Sequence, residues 1–361
     1  MKISKIKVWI KDLGNKRPYT IAFKTVNDVA SAFVYLELEN GIYGMGSGNP
    51  SQQVVGESLE DTMAALDEEN TSFLIGRNIN EFYTLLKEVQ QKFPKTPAAR
   101  AALDIALHDL FTKYLRVPLG VFLGQEILSL PTSVTIGIKN VEETLEEAME
   151  YKGLGFRILK VKTGHDVDMD IERMARLYEN FGSSMLVRVD ANQGYSQEDL
   201  IKFYEKTKSF GIELIEQPIP MRETELMKSL PDEVKDLIAA DESLQSPRDA
   251  FALANAPYAC GIFNIKLMKS GGIFPARQIA QVAEVSGTDL MWGCNDESAT
   301  SISAALHTAL SFKNTKYLDL DGSLDLVVDA VKGGFIIEDG YMRITDAPGL
   351  GVDLLPEESN S

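Results

Sequence analysis

Lys162 and Lys266 each close a short apolar run, and between them three further runs close on Asp190, Glu216 and Asp241. Three carboxylates gathered at one spot repel one another unless a cation holds them. Oxygen donors without sulfur or imidazole select magnesium, or else manganese, over zinc. Each acid taken singly could instead cap a helix or join an ion pair. A lysine on a buried strand is costly unless it has a partner or a task. Two lysines on opposite sides of a metal suggest proton transfer at either face of one carbon; otherwise they serve to neutralise the acids. Lys160 lies two residues before Lys162 and shares its inward face. Its charge is expected to draw Lys162 toward a usable base. Asp319 and Asp321 share a face by the same period. They could bind a cation such as a substrate ammonium, or form a buried pair bonded to backbone N–H groups or to Lys160. Asn264, two residues before Lys266, points inward and could orient that lysine or accept a bond.

A repeated strand–helix unit is needed to position these groups. From Leu130 onward, apolar runs alternate with helical segments: Thr132–Ile138, Ile158–Lys162, Met185–Asp190, Ile212–Glu216, Leu237–Asp241, Gly261–Lys266, Leu290–Cys294 and Tyr317–Asp321. Their end markers, Thr135, Lys162, Asp190, Glu216, Asp241, Lys266, Cys294 and Asp319, are spaced by 25–28 residues. An even period of this size marks one supersecondary unit repeated. Eight βα units predict a closed α/β barrel with its polar face at the strand C-termini. Ring order then makes strands three, four and five neighbours and sets strands two and six opposite each other. Strand eight lies opposite strand four, so Asp319 and Asp321 are expected far from the three-acid cluster.

The segment before the barrel reads as an α+β cap. Ile3–Ile10 and Ala32–Leu38 alternate like strands, with a hairpin turn at Glu39–Ile42; helical spacing covers 57–69, 79–93 and 97–114. The expected division is a cap over 1–125 and a barrel over 126–332. The hairpin around Asp339-Gly340 should return to complete the cap within 333–361, ahead of an unstructured polar tail from Glu357.

Composition narrows the function. The chain has 361 residues and a net charge of −17, which argues against nucleic acid and anionic membrane as partners. No apolar run reaches the roughly 20 residues of a membrane helix. The first residues alternate like a strand rather than a signal peptide, so a cytoplasmic location is expected. Cys260 and Cys294 are too few for a disulfide framework. Among the three histidines, His165 is expected at the surface and His307 packed in a helix, which leaves no His-rich metal site. Neither a dinucleotide fingerprint nor a P-loop is present.

Together these residues resemble the enolase superfamily over nearly the whole chain. The matching motifs are Lys160-Val161-Lys162, Asp190-Ala191-Asn192, Glu216-Gln217-Pro218, Ala240-Asp241-Glu242-Ser243 and Asn264-Ile265-Lys266 through Gly272. Paired lysines are similar to the muconate lactonizing subgroup, and Asp319-Leu320-Asp321-Gly322 resembles its dipeptide epimerases. The resemblance implies a (β/α)7β, TIM-like barrel with its cap. It also implies a magnesium ion on Asp190, Glu216 and Asp241 that binds the carboxylate of a small dipeptide. One lysine would remove the α-proton and the other return one to the opposite face. Lys160 and the metal would stabilise the enediolate. Asp319 and Asp321 would hold the N-terminal ammonium, Thr135 and Cys294 would line the pocket, and Asn192 and Asn264 would support the site.

In Ala-Glu epimerases a basic residue of a cap loop is expected to meet the substrate's side-chain carboxylate. Here the loop offers Phe23 and Lys24, while Asn295-Asp296-Glu297 adds negative charge. The expected substrate is an alanyl dipeptide with a small or apolar second residue, such as Ala-Ala. Other readings are an L-Ala-D/L-Glu epimerase, a muconate cycloisomerase or o-succinylbenzoate synthase, and a ligand-binding barrel without catalysis. Assembly into a homo-oligomer is open.

Overall fold

The structure is a computed structural model. It describes residues 1–16, 19–21, 24–26, 29–356 and 358, with 19–21 and 24–26 in backbone only. Phe23, the Lys24 side chain and the tail residues Glu357 and 359–361 lie outside the described part of the structure.

In the cap, β1 (Ile3–Asp12), β2 (Ala30–Leu38) and β3 (Tyr43–Gly48) form an antiparallel sheet. Helix α1 (Phe82–Lys92) precedes α2 (Pro97–Leu115), which lies directly on β3. A Cβ at Gly46 would stand 1.9 Å from the Ala102 carbonyl oxygen, so only glycine permits this approach. Helix α2 is apolar on nearly all sides because it is buried between sheet and barrel. Its first turn is satisfied by buried Glu57, which accepts the N–H groups of Ala98 (2.6 Å) and Ala99 (3.1 Å).

The expected barrel follows. Its parallel strands are β4 (Val134–Ile136), β5 (Ile158–Lys162), β6 (Leu186–Asp190), β7 (Ile212–Glu216), β8 (Ile238–Ala240), β9 (Ile262–Ile265), β10 (Asp289–Gly293) and β11 (Thr315–Asp319). Each pairs with the next. The ring closes where Thr132 bridges Leu318 and the Ser133 N–H donates to the Leu318 carbonyl at 3.0 Å. Outside lie α3 (Val141–Gly153), α4 (Val167–Phe181), α5 (Gln197–Thr207), α6 (Pro247–Ala254), α7 (Ile273–Ser286) and α8 (Ala299–Ala309). Asn140, Asp166, Ser196, Ser246 and Ser298 start five of them by accepting first-turn N–H groups. Asp104 of α2 accepts from the Ile273 N–H at 2.7 Å, which pins the cap to the start of α7. No helix among the described residues is long and apolar enough to cross a membrane.

One expectation about the C-terminal segment changes. The hairpin β12 (Phe335–Glu338) and β13 (Tyr341–Ile344) does not join the cap sheet and touches the cap only at its end, where Ile344 packs beside Gly120. Strand β13 pairs with Leu130–Pro131 and packs on α8, because the extended chain entering β4 leaves an open edge there. Firmer ties to the cap are made further on. The Leu350 N–H donates to Asp109 of α2 at 2.8 Å, and Glu358 pairs with Lys11 of β1.

Candidate active site

The strand C-termini open into a cavity of about 640 Å³ beneath the cap. Thr135, Lys160, Lys162, Asn192, Asp241, Lys266, Cys294, Asp319 and Asp321 line it from the barrel, and 49–54 line it from the cap. Asp190, Glu216 and Asn264 are fully buried just below. The barrel thus gathers every residue singled out at its strand ends. His165 is exposed, as expected. His307 is packed in α8, also as expected.

Register sets the cluster. Lys162 lies beside Asp190, and Asp190 beside Glu216. The Lys162 Nζ is 2.6 Å from Asp190 Oδ2, and the Lys266 Nζ is 2.9 Å from Asp241 Oδ2. The lysines therefore reach the two ends of one row of carboxylates, with Glu216 in the middle. Burial acts against the charge on Lys266, but Asp241, Glu216 and Asp190 together outweigh it and hold its pKa above the ordinary lysine value. Burial and the neighbouring Asp190 push Glu216 up to about 8. Asp190 is held down to about 2 because Lys162 and Lys160 overcome its burial.

Two expectations about Lys160 and strand eight need correction. Lys160 Nζ stands 2.8 Å from Asp319 Oδ2, 2.7 Å from Glu216 Oε2 and 3.1 Å from Asp190 Oδ2. A single ammonium thus spans strands eight, four and three, so Asp319 is not far from the acid cluster. The interior is narrow enough for a lysine to cross it. The Lys160 charge is directed at these carboxylates rather than at Lys162. Burial disfavours that charge, yet attraction by Asp319, Glu216 and Asp190 prevails and keeps Lys160 protonated.

The acid pair is held in the manner of its alternative reading. Asp319 accepts the Ser133 hydroxyl at 2.7 Å as well as Lys160. Asp321 accepts the Thr135 N–H at 2.7 Å; burial and repulsion by Asp319 push it up to about 7. Both also line the cavity. Cys294 donates its thiol to the Asp319 carbonyl at 3.3 Å. The Asn192 N–H donates to Asp190 Oδ1 at 2.9 Å. Asn264 donates Nδ2 to Glu216 Oε1 at 2.8 Å, so it orients a carboxylate rather than Lys266.

Other positioning groups escaped the sequence reading. The fully buried Lys269 donates to the Asp241 carboxylate and, at 2.6 Å, to the Asp241 carbonyl. Gln217, at φ 33°, accepts the Asp241 N–H at 3.0 Å. Both lie in motifs already noted, but spacing alone does not show where their side chains turn. A rim of acids on α3, Glu143, Glu146, Glu147 and Glu150, also faces the cavity, with Asp296 and Asp325. Nothing in the local sequence singles out the α3 acids.

The donor set fits a hard divalent cation. Asp190, Glu216 and Asp241 come from adjoining strands. The Glu216 Oε2 is buried without a hydrogen-bond donor, since Lys160 approaches it outside hydrogen-bonding directions. Among the described residues these acids do not already surround one point, because ammonium groups stand between them.

Residues 141–359 match the family described as Enolase C-terminal domain-like, and 5–124 match the Mandelate racemase / muconate lactonizing enzyme, N-terminal domain. The chain belongs to the enolase superfamily. It is 53% identical to an L-Lys-D/L-Arg epimerase from Desulforapulum autotrophicum, over 98% of this chain and 99% of the relative. It is 51% identical, with the same coverage, to an L-Lys-D/L-Arg epimerase from Methylococcus capsulatus. A crystal structure of the dipeptide epimerase from M. capsulatus, complexed with Mg and the dipeptide L-Arg-D-Lys, superposes with a TM-score of 0.96 at 51% identity, covering 98% of this chain and 99% of that one. As an enolase-superfamily member among epimerases, this protein is an isomerase of the racemase and epimerase type.

Proposed function

We propose that this protein is a magnesium-dependent dipeptide epimerase that inverts the α-carbon of the C-terminal residue in dipeptides of lysine and arginine. The observation that carries the reaction is the row of carboxylates with Lys162 at one end and Lys266 at the other. A substrate carboxylate at that row would place its α-carbon between two Nζ atoms.

Magnesium on Asp190, Glu216 and Asp241 would supply positive charge beside the substrate carboxylate, which eases loss of the adjacent proton. One lysine takes that proton at Nζ, and the opposite lysine gives one to the other face. Lys266, drawn up by Asp241, holds the proton an acid needs. Lys160, kept protonated by three carboxylates, offers a fixed charge to the negative charge that develops. Asp319 and Asp321 receive the substrate ammonium, Thr135 and Cys294 bound its space, and Asn192 and Asn264 steady the metal carboxylates. Residues 1–125, with the returning C-terminal segment, form the specificity cap over a catalytic barrel of 126–332.

The expectation of a small or apolar second residue, with Ala-Ala as the example, is not supported. Lysine and arginine dipeptides fit better, on two grounds. The two L-Lys-D/L-Arg epimerases are the relatives just described. The acidic rim of α3 with Asp296 and Asp325 gives the cavity a negative field that attracts cationic side chains.

Turnover of L-Lys-L-Arg, L-Arg-L-Lys, L-Ala-L-Ala and L-Ala-L-Glu with magnesium, followed by deuterium uptake at the α-carbon, tests the proposal. The cationic dipeptides should give the highest kcat/KM. A preference for either alanyl dipeptide would overturn the substrate class, and no exchange from any dipeptide would overturn the reaction.

A further inference from the structure

Below the acid pair runs a buried polar column that proton transfer does not require. At its base Arg188 of β6 is 1% exposed. It donates Nε to Glu213 at 2.9 Å and Nη1 to the Leu318 carbonyl at 2.6 Å. The same Nη1 reaches the Ser133 Oγ at 3.4 Å. Ser133 is fully buried and donates its hydroxyl to Asp319 Oδ1 at 2.7 Å, with the Leu318 carbonyl a weaker competitor at 3.3 Å. Lys160 holds the other oxygen, Oδ2, at 2.8 Å. The Asp319 carboxylate is therefore fixed at both oxygens and cannot rotate freely.

Ring closure does not explain the Ser133 hydroxyl. Closure at this position uses the Ser133 backbone N–H, which any residue but proline would supply. A guanidinium only donates, so Arg188 engages the Oγ lone pairs and leaves the single hydroxyl hydrogen for Asp319. Two residues on, the Thr135 N–H holds Asp321 at 2.7 Å. Both acids of the pair are thus aimed from the first barrel strand and its approach.

We propose that Ser133 is a positioning residue for substrate recognition: by holding Asp319 Oδ1 it aims that carboxylate, so that Asp319 and Asp321 together receive the α-ammonium of the substrate's N-terminal residue. The inference rests on the dipeptide reading of the site. Without the hydroxyl, Asp319 is steered by Lys160 alone and turns toward it.

The test compares L-Arg-L-Lys with its des-amino analogue, in which hydrogen replaces the N-terminal α-amine. The full-length magnesium-loaded enzyme is used, with KM read for the dipeptide and the inhibition constant for the analogue. Wild type should bind the dipeptide more tightly than the analogue. Ser133→Ala should raise the dipeptide KM about tenfold, the scale of one hydrogen bond to a charged group, while analogue binding and kcat hold. Ser133→Cys keeps the volume but is a weak donor, so it should shift KM the same way and serves if the alanine variant does not fold. Equal weakening of both ligands, or wild-type discrimination in the variants, would overturn the role of Ser133 alone. Absence of discrimination in wild type would overturn the ammonium clamp itself and this inference with it.

Discussion

Removing one lysine at a time should separate the two halves of the proton exchange. Lys266→Ala deletes an ammonium 2.9 Å from Asp241, but Asp241 keeps its ion pair with Lys269. Lys162→Ala deletes one 2.6 Å from Asp190, which keeps Lys160 at 3.1 Å. Neither variant strands a buried carboxylate without a cation, the situation that costs about 3–5 kcal/mol, so both should fold. Loss of a positioned acid or base typically costs about 10²–10⁴ in rate. A middle value of about 10³ corresponds to about 4 kcal/mol of barrier. The assay follows the α-proton of L-Arg-L-Lys and of L-Arg-D-Lys by NMR in D₂O with magnesium. Wild type should exchange and invert both. In each variant inversion should fall by about 10³, while exchange survives from one diastereomer only. The surviving diastereomer should differ between the two variants, because each lysine faces one side of the carbon. Survival of the same diastereomer in both, or equal loss from both, would refute the two-base geometry.

Two further outcomes follow from the packing. At Gly293 an added Cβ would stand 2.6 Å from Asn264 Oδ1 and 3.0 Å from Lys266 Cε. Gly293→Ala should cost about 1–3 kcal/mol of stability and lower kcat; unchanged denaturant midpoints and turnover would contradict the close packing. The fully buried His307 accepts the Gly120 N–H at Nδ1 (2.8 Å), and burial lowers its pKa from 6.5 to about 4. Below 6.5 the unfolded chain takes up a proton that the folded chain refuses until about 4. Stability present above that window is therefore lost as pH falls through it, by about 3 kcal/mol in all. Urea midpoints of wild type and His307→Gln should converge toward pH 4, and parallel pH profiles would exclude this role for His307.

By itself the sequence determined the ring. Strand length, side-chain alternation and helix crossover are local, so an even period of markers carried Lys162, Asp190, Glu216, Asp241 and Lys266 to successive positions around one barrel. Their order was then enough to set the two lysines on opposite sides of the acids. What ring order could not convey is how far a side chain reaches across. Only the folded interior let Lys160 span from Asp319 to Glu216, brought Ser133 under Asp319, and turned Lys269 and Gln217 onto Asp241. The acids of α3 carry no local signal and became the cavity rim only once β4 carried that helix beside the mouth. The hairpin after the barrel likewise paired with Leu130–Pro131 rather than with the cap sheet, because an open strand edge is a property of the fold and not of any single segment.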